Sequence, residues 1–484
     1  MKVSSKKIAS GVGWVAVSSL GNQGLRLLVK LVLARLLLPE LFGLIGMAAV
    51  FTSFVRMISE FGMGAALIQK KEEELTEDHY VTAFWTNLGV SLLGYAITAL
   101  ILSPVAVWFY DEPILGSLLP VIAISIILDA LYIIPKAKLS RQLDFRPQAI
   151  ISIISVVLAG GIAVYLAFND WGVWSLAFNS IVVSVVSGIL YFFHTRWLPS
   201  FSFSKSAFLS LFSFGGYVLV ERIFYFLTNN IDYLLIGKLI GSKALGVYTL
   251  AFILTDAFRT KVMNIFNKVL FPAYSSMQGD TAVLKKYYLG VVHLNANILI
   301  PIMVVFIALA RPIILIGFGE EWLGTVVPLR ILSLSVIIHA ISGTVSTVIK
   351  STGRADLIVK INSLLTLLVT VPAIAVGSIW FGIAGAAWGV FTYKTIGLLV
   401  YQRYINQIIG VPFVRLLEKI YKPTLASALA GIVAYLWSES TSLDTMIVLV
   451  SGGLFIVIFY GVYLNIFEKE LITKLRAIVK RKKR

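Results

Sequence analysis

Uninterrupted apolar runs decide the environment of this chain before any motif is considered. A helix that crosses a bilayer needs about 20 mainly apolar residues. Fourteen stretches meet that need, centred near Ser18, Phe51, Leu93, Ile126, Val157, Val183, Phe224, Phe252, Ile300, Ser335, Val369, Val390, Leu429 and Phe455. Of the 484 residues, 58% are hydrophobic and 13% charged, with a mean hydropathy of +0.90. A soluble core stops growing near about 250–300 residues, so a water-soluble fold has no place to hide this much apolar surface. A soluble enzyme and a disordered chain are both excluded. Outer-membrane barrels alternate apolar and polar residues, whereas these runs are continuous. The expected fold class is an all-α polytopic membrane protein with about 14 transmembrane helices. The first run, Ile8 to Leu38, far exceeds the roughly 7–15 residues of a signal-peptide core and reads as a span.

There is no cysteine, which removes disulfides, thiolate metal sites and thiol nucleophiles from consideration. The net charge of +17 invites a nucleic-acid reading, but its distribution favours another. With the N-terminus placed inside, 29 of the 41 Lys and Arg residues fall in inside segments. Arg35, Lys238, Lys243 and Arg311 fall outside, and the remaining eight lie in spans. An excess of this kind marks the cytoplasmic side. Both termini are therefore expected in the cytoplasm, with no nucleic-acid partner. The basic stretch Lys480–Arg484 is expected to meet anionic membrane lipids.

The chain also repeats itself. At an offset of 203, Gly13 falls on Gly216, Arg35 on Lys238, Gly43 on Gly246, Ala48 on Ala251, Thr52 on Thr255 and Arg56 on Arg259. Further on the offset becomes 210, where Gly172 falls on Gly382 and Ala177 on Ala387. Agreement at polar positions is not explained by hydrophobicity alone. Six spans separate the copies, so both have the same orientation, as in transporters built from parallel repeats. The expected organisation is an N-lobe over 1–205, a C-lobe over 206–408, and two extra helices with a basic tail over 409–484.

Charges inside a bilayer cost on the order of 2.5–3.5 kcal/mol by insertion scales, so they gather in bundle interiors, wet cavities or helix ends. In the first span Ser19, Gln23, Arg26 and Lys30 are spaced 4, 3 and 4 and share one helix face. Arg26 and Lys30 either line a cavity or snorkel to the interface. Arg56 and Glu60 stand at i,i+4 in the second span and form either a cavity lining or a structural pair. Glu221, Arg222, Tyr225, Asn229 and Asp232 mark the seventh, and Asp256, Arg259 and Lys261 the eighth. Arg330 and His339 lie in the tenth and Lys394 in the twelfth. Arg26, Lys30, Arg56, Arg259, Arg330 and Lys394 are the candidate substrate-binding cations. Asp129, Asp232 and Glu60 are candidates for coupling to an H+ or Na+ gradient; Asp129 is equally readable as a helix–helix hydrogen-bonding group. His293 and His339 are candidate proton relays. The span bases exceed the span acids, and a positive lining favours an anionic cargo such as a phosphate, pyrophosphate or uronic acid.

No GxxxxGK[ST] phosphate loop occurs, so no ATP motor of that type is expected. Neither HExxH nor GxSxG appears, and no catalytic residues or metal ligands are predicted. A drug or cation exporter is the alternative within transport. A membrane-embedded glycan polymerase is the alternative from another class, and the short outer turns argue against it.

Several segments now add a resemblance. The opening "GVGWVAVSSLGNQGLRLLVKLVLARLLLPELFGLIGMA", with Pro39, Glu40 and Gly43, resembles that of bacterial polysaccharide exporters. "KLSRQLDFRP", with Arg141, Asp144, Phe145 and Arg146, is similar to a cytoplasmic segment of that group. "DWGVWSLAF", "VLFPAYSSMQGD" and "FGEEWLGTVVPLRILSL" match further landmarks. The chain thus resembles the polysaccharide-transport branch of the multidrug/oligosaccharidyl-lipid/polysaccharide exporter superfamily, and most nearly the colanic-acid and teichuronic-acid exporters. The resemblance implies a flippase for an undecaprenyl-pyrophosphate-linked glycan in a bacterial plasma membrane, a cationic cavity between two lobes, and polymerase and glycosyltransferase partners of the same pathway.

Overall fold

The computed structural model describes residues 5–59, 62–277 and 279–469. These are helical over 89% and contain no strand, as the apolar runs require, since a helix satisfies every backbone group within one segment. Nine helical stretches among the described residues are long and apolar enough to cross a membrane, from Pro39–Gln69 to Thr445–Phe467. Four further helices, α1 (Ser5–Leu36), α9 (Lys205–Ile240), α10 (Ser242–Ser276) and α17 (Phe413–Ser440), have the length but carry polar and charged residues along it. The expected number of 14 is therefore not reached by length and composition alone.

The chain divides into two compact units, Met1–Gly246 and Val247–Arg484. In the first, α1 lies along α7 (Phe145–Phe168), and α8 (Val173–Thr195) packs on both α7 and α6 (Leu115–Arg141). The α1–α7 contact is close because Gly160 has no side chain: a Cβ there would stand 2.4 Å from Val29. The helices α2 (Pro39–Ser59), α3 (Met63–Gln69) and α4 (Glu77–Ile97) pack on α6 and on α9. Compactness thus divides the chain one helix later than the sequence repeat does.

The start of α10 meets the start of α2 backbone to backbone. A Cβ on Gly43 would lie 1.8 Å from the Ser242 carbonyl oxygen, and one on Gly246 would lie 1.7 Å from that of Pro39. These are the residues that the offset of 203 equates, so the crossing is reciprocal. Small residues allow such close approach in membrane helices.

In the second unit α11 (Thr281–Ala308) packs on α13 (Val326–Ser342) and α17, α13 packs on α16 (Val371–Ile409), and α17 packs on α18 (Thr445–Phe467). Two helices are interrupted by π-turns, Thr98–Leu102 and Thr366–Thr370. Each is followed two residues after its end by a proline, Pro104 or Pro372, whose missing N–H the widened turn accommodates. The helix α16 breaks at Gly382, with φ 57° and ψ −139°. Gly172, its counterpart at offset 210, opens α8 with φ 51° and ψ −125°. The repeat therefore survives in backbone geometry, at a conformation only glycine adopts easily.

Candidate functional site

In the first unit the polar groups converge on one carboxylate. Ser125, Asp129 and Tyr132 are spaced 4 and 3 along α6 and so share a face. Arg56, in the last turn of α2, places Nη1 3.3 Å from Asp129 Oδ2 and donates from Nη2 to Ser125 Oγ at 2.7 Å. The other carboxylate oxygen, Oδ1, accepts from Tyr132 Oη at 2.8 Å and from Ser184 Oγ of α8 at 2.7 Å. Tyr132 stacks flat on Tyr191, with ring centroids 5.3 Å apart. The Asp129 side chain is 15% exposed and that of Arg56 41%, so the acid is the more shielded member of the pair. An apolar groove of about 640 Å³ runs between α6 and α8 from Ser184 to Arg196.

Arg26 and Lys30 are carried by α1, which lies along α7. The whole stripe of Ser19, Gln23, Arg26 and Lys30 is exposed, while Asn22 on another face donates to Ser152 of α7 at 2.8 Å. The spacing expected from sequence is thus realised as one exposed polar face. Glu60, the expected partner of Arg56, lies outside the described residues, as do the tail residues Lys480–Arg484 and the side chains of Glu221, Arg222, Tyr225, Asn229 and Lys261. Asp232 is half-buried on α9, and its Oδ1 accepts the Tyr233 N–H at 3.0 Å.

The second unit gathers a different set. Arg259 of α10 donates from Nε to Asp256 Oδ1 at 2.8 Å, and its Nη2 bonds the same oxygen. Thr260 Oγ1 donates to Asp256 Oδ2 at 2.7 Å. Arg259 Nη1 lies 3.2 Å from His339 Nε2 on α13. A guanidinium only donates, so in this contact Nε2 stands as the acceptor. Lys394 of α16 acts electrostatically on the same ring and lies 5.0 Å from the Tyr393 ring centroid. His339 has no slack behind it: a Cβ on Gly343 would lie 3.2 Å from its Nε2 and 2.7 Å from Met263 Sδ. Arg259, His339 and Lys394 are thereby brought together.

Arg330 is held elsewhere. Its Nε donates to the Ile307 carbonyl at 3.1 Å, Nη2 lies 4.0 Å from Glu439 of α17, and the guanidinium sits 5.1 Å over the Tyr435 ring. It ties α13 to α11 and α17. His293 joins a further network that its residue type alone only hinted at. Its ring nitrogens meet the Lys419 carbonyl at 2.6 Å and Glu468 Oε2 at 3.0 Å. Tyr463 donates to Glu468 Oε1 at 3.2 Å, and Asn297 and Tyr460 extend the chain of bonds. A polar cavity of about 390 Å³ opens beside it, lined by Glu418, Lys419 and Lys422 among others. Among the described residues no group of three His, Cys, Asp or Glu side chains could hold a metal ion.

The profile of the polysaccharide biosynthesis protein family matches residues 32–327. The chain is similar to the teichuronic acid biosynthesis protein TuaB of Bacillus subtilis (strain 168), 28% identical over 442 residues and covering 90% of each chain. It is similar to the succinoglycan biosynthesis transport protein ExoT of Rhizobium meliloti (strain 1021), 26% identical over 484 residues, covering 99% of this chain and 97% of that one. Among solved structures, the lipid II flippase MurJ in an inward closed conformation superposes with a TM-score of 0.74 at 17% identity, covering 94% of this chain and 99% of that one. The fold is therefore MurJ-like.

Proposed function

The chain belongs to the polysaccharide biosynthesis protein family, and from that premise we propose that it is a flippase for a lipid-linked oligosaccharide. It is a multi-pass membrane transporter rather than an enzyme. The cargo we assign is an undecaprenyl-pyrophosphate-linked repeat unit of a cell-surface polysaccharide, carried from the inner to the outer leaflet of a bacterial plasma membrane. Both termini lie in the cytoplasm, and two six-helix lobes, 1–205 and 206–408, work by alternating access with 14 spans in all. TuaB and ExoT, which the chain matches nearly end to end, are named for polysaccharide biosynthesis and transport, and MurJ for flipping lipid II.

The observation that carries the reading beyond the family is the placement of charge. Arg26, Lys30 and Arg56 are on accessible faces of the first unit, and in the second Arg259 reaches His339 while Lys394 lies over the Tyr393 ring. Arginine clasps phosphate oxygens in pairs and is always charged, which suits a pyrophosphate head. Asp129, met by Arg56, Tyr132 and Ser184, is the group we assign to ion coupling.

Deleting the gene in its host tests the proposal. Surface polysaccharide is expected to disappear while lipid-linked repeat units accumulate on the inner leaflet, and both return with the wild-type gene. Normal surface polymer in the deletion strain overturns it.

A further inference from the structure

Pro423 lies inside α17 and brings no N–H to the helix, so the Lys419 carbonyl four residues earlier loses its usual donor. His293 of α11 supplies one. A carbonyl oxygen only accepts, so Nδ1 donates to it at 2.6 Å. The other ring nitrogen, Nε2, lies 3.0 Å from Glu468 Oε2, just past the end of α18. Tyr463 donates to the second oxygen of that carboxylate at 3.2 Å. Three helices are thus fastened around one point, and the polar basin of about 390 Å³ opens at it. Lys419 and Lys422 of α17 line the basin. Both acids in its wall are engaged, Glu468 with His293 and Tyr463, and Glu418 with Arg415 at 3.0 Å.

The basin continues into a second cavity. An apolar trough of about 490 Å³ between α17 and α18 shares Lys422, Ile466 and Phe467 with it. Helical spacing makes the trough. Leu425, Ala426 and Leu429 follow Lys422 at three, four and seven residues, and the four lining residues from Phe459 to Ile466 keep the same spacing on α18. Each helix therefore turns one stripe toward the groove. From Lys422 to Leu429 the trough runs about 10 Å along α17. Any lipid-facing surface is apolar, but this one leads into a pocket lined by lysines.

A phospholipid has the same two parts in the same order. We propose that trough and basin together bind one anionic phospholipid of the surrounding membrane. Its phosphate lies against Lys419 and Lys422, and an acyl chain lies between α17 and α18. Basic pockets between membrane helices hold anionic head groups in this way, and an ammonium on a flexible stem follows a phosphate without demanding a fixed geometry. The length of the trough suits a stretch of an ordinary acyl chain, and most of a polyprenyl tail would find no wall there. The occupant is a resident lipid, distinct from the cargo, and the site stands apart from the flippase reading.

Full-length protein in detergent, titrated with lipid and weighed intact by native mass spectrometry, tests the site. The probes are dioleoyl-phosphatidylglycerol and dioleoylglycerol, which share their acyl chains and differ by the phosphate head. Wild-type protein is expected to bind the first more tightly. Lys419→Gln and Lys422→Gln should each weaken its binding by on the order of fivefold and leave the second probe unchanged. Leu425→Trp, which fills the trough from an exposed position, should weaken both probes; Leu429→Trp serves if that variant does not fold. Lys205→Gln, at an exposed lysine of the other unit, should change neither. Equal binding of the two probes by wild-type protein overturns the site, as does a loss in Lys205→Gln as large as in the basin variants. Undecaprenyl phosphate that displaces phosphatidylglycerol at lower concentration than deuterated phosphatidylglycerol does would hand the groove to the cargo and overturn the assigned occupant.

Discussion

Arg56 and Asp129 form an ion pair across two helices, Nη1 to Oδ2 at 3.3 Å, in which the acid is shielded and the base is open. Asp129 takes three side-chain donors, from Arg56, Tyr132 and Ser184. Replacing it by alanine removes an acceptor from two hydroxyls and a guanidinium at once. Arg56 regains water through its open face, so its removal costs less. In a double-mutant cycle by thermal unfolding in detergent, Asp129→Ala is expected to destabilise more than Arg56→Gln. The double variant should lose less than the sum, with a coupling on the order of 0.5–2 kcal/mol. Strict additivity would mean that the pair is not coupled.

How much of this was legible in the sequence depends on the range of each contact. The stripe Ser19, Gln23, Arg26 and Lys30 is a matter of helical period, and the structure keeps all four on an exposed face. The conservation of register from Thr52 to Thr255 was equally readable, because the same hydroxyl-to-carbonyl bond recurs on both helices. The contact of Arg56 with Asp129 was not, because a helix's rotation about its own axis is set by packing with helices distant in sequence, and that packing brings Arg56 against α6. Arg330 likewise has no acid nearby in sequence and finds Glu439 on α17.

The reciprocal crossing of Gly43 and Gly246 leaves no volume for a methyl group. A Cβ on Gly43 would be 1.8 Å from a carbonyl oxygen that belongs to backbone and has no rotamer to change. Gly43→Ala is therefore expected to force the helix starts apart and to cost more than about 3 kcal/mol, among the larger single-substitution effects. Gly89→Ala is the control, since nothing lies within 4 Å of its added methyl. Thermal midpoints in the same detergent should separate the two variants clearly; similar midpoints would remove the crossing as a tight contact.

Gly382 imposes a different demand. A Cβ added there would meet no other part of the protein within 4 Å, yet its φ of 57° with ψ of −139° is open to few other residues. Gly382→Ala is expected to cost about 1–3 kcal/mol through backbone strain alone. Gly453, inside α18 with nothing within 4 Å of an added Cβ, should gain up to about 1 kcal/mol from the same change, because alanine is the better helix former. Opposite signs of the shift in thermal midpoint are the expected result. A neutral Gly382→Ala would show that the chain relaxes into an ordinary helical bend there.

Tyr460 offers the cleanest single-atom change in the second unit. Its buried hydroxyl, on α18, donates to Asn297 of α11, with oxygen–oxygen distances of 3.1 Å to the carbonyl and 2.9 Å to Oδ1. Asn297 in turn bonds His293, which meets Glu468. Tyr460→Phe keeps the ring and its stacking near Tyr463, 5.2 Å away, and deletes one donor. The loss is expected to be about 0.5–1.5 kcal/mol, the net worth of a typical intramolecular hydrogen bond. Hydrogen exchange adds a positional readout: protection should fall along α11 around His293 and Asn297 and stay constant in α7, which belongs to the other compact unit. Unchanged protection in α11 would mean that the hydroxyl does not hold α18 against it.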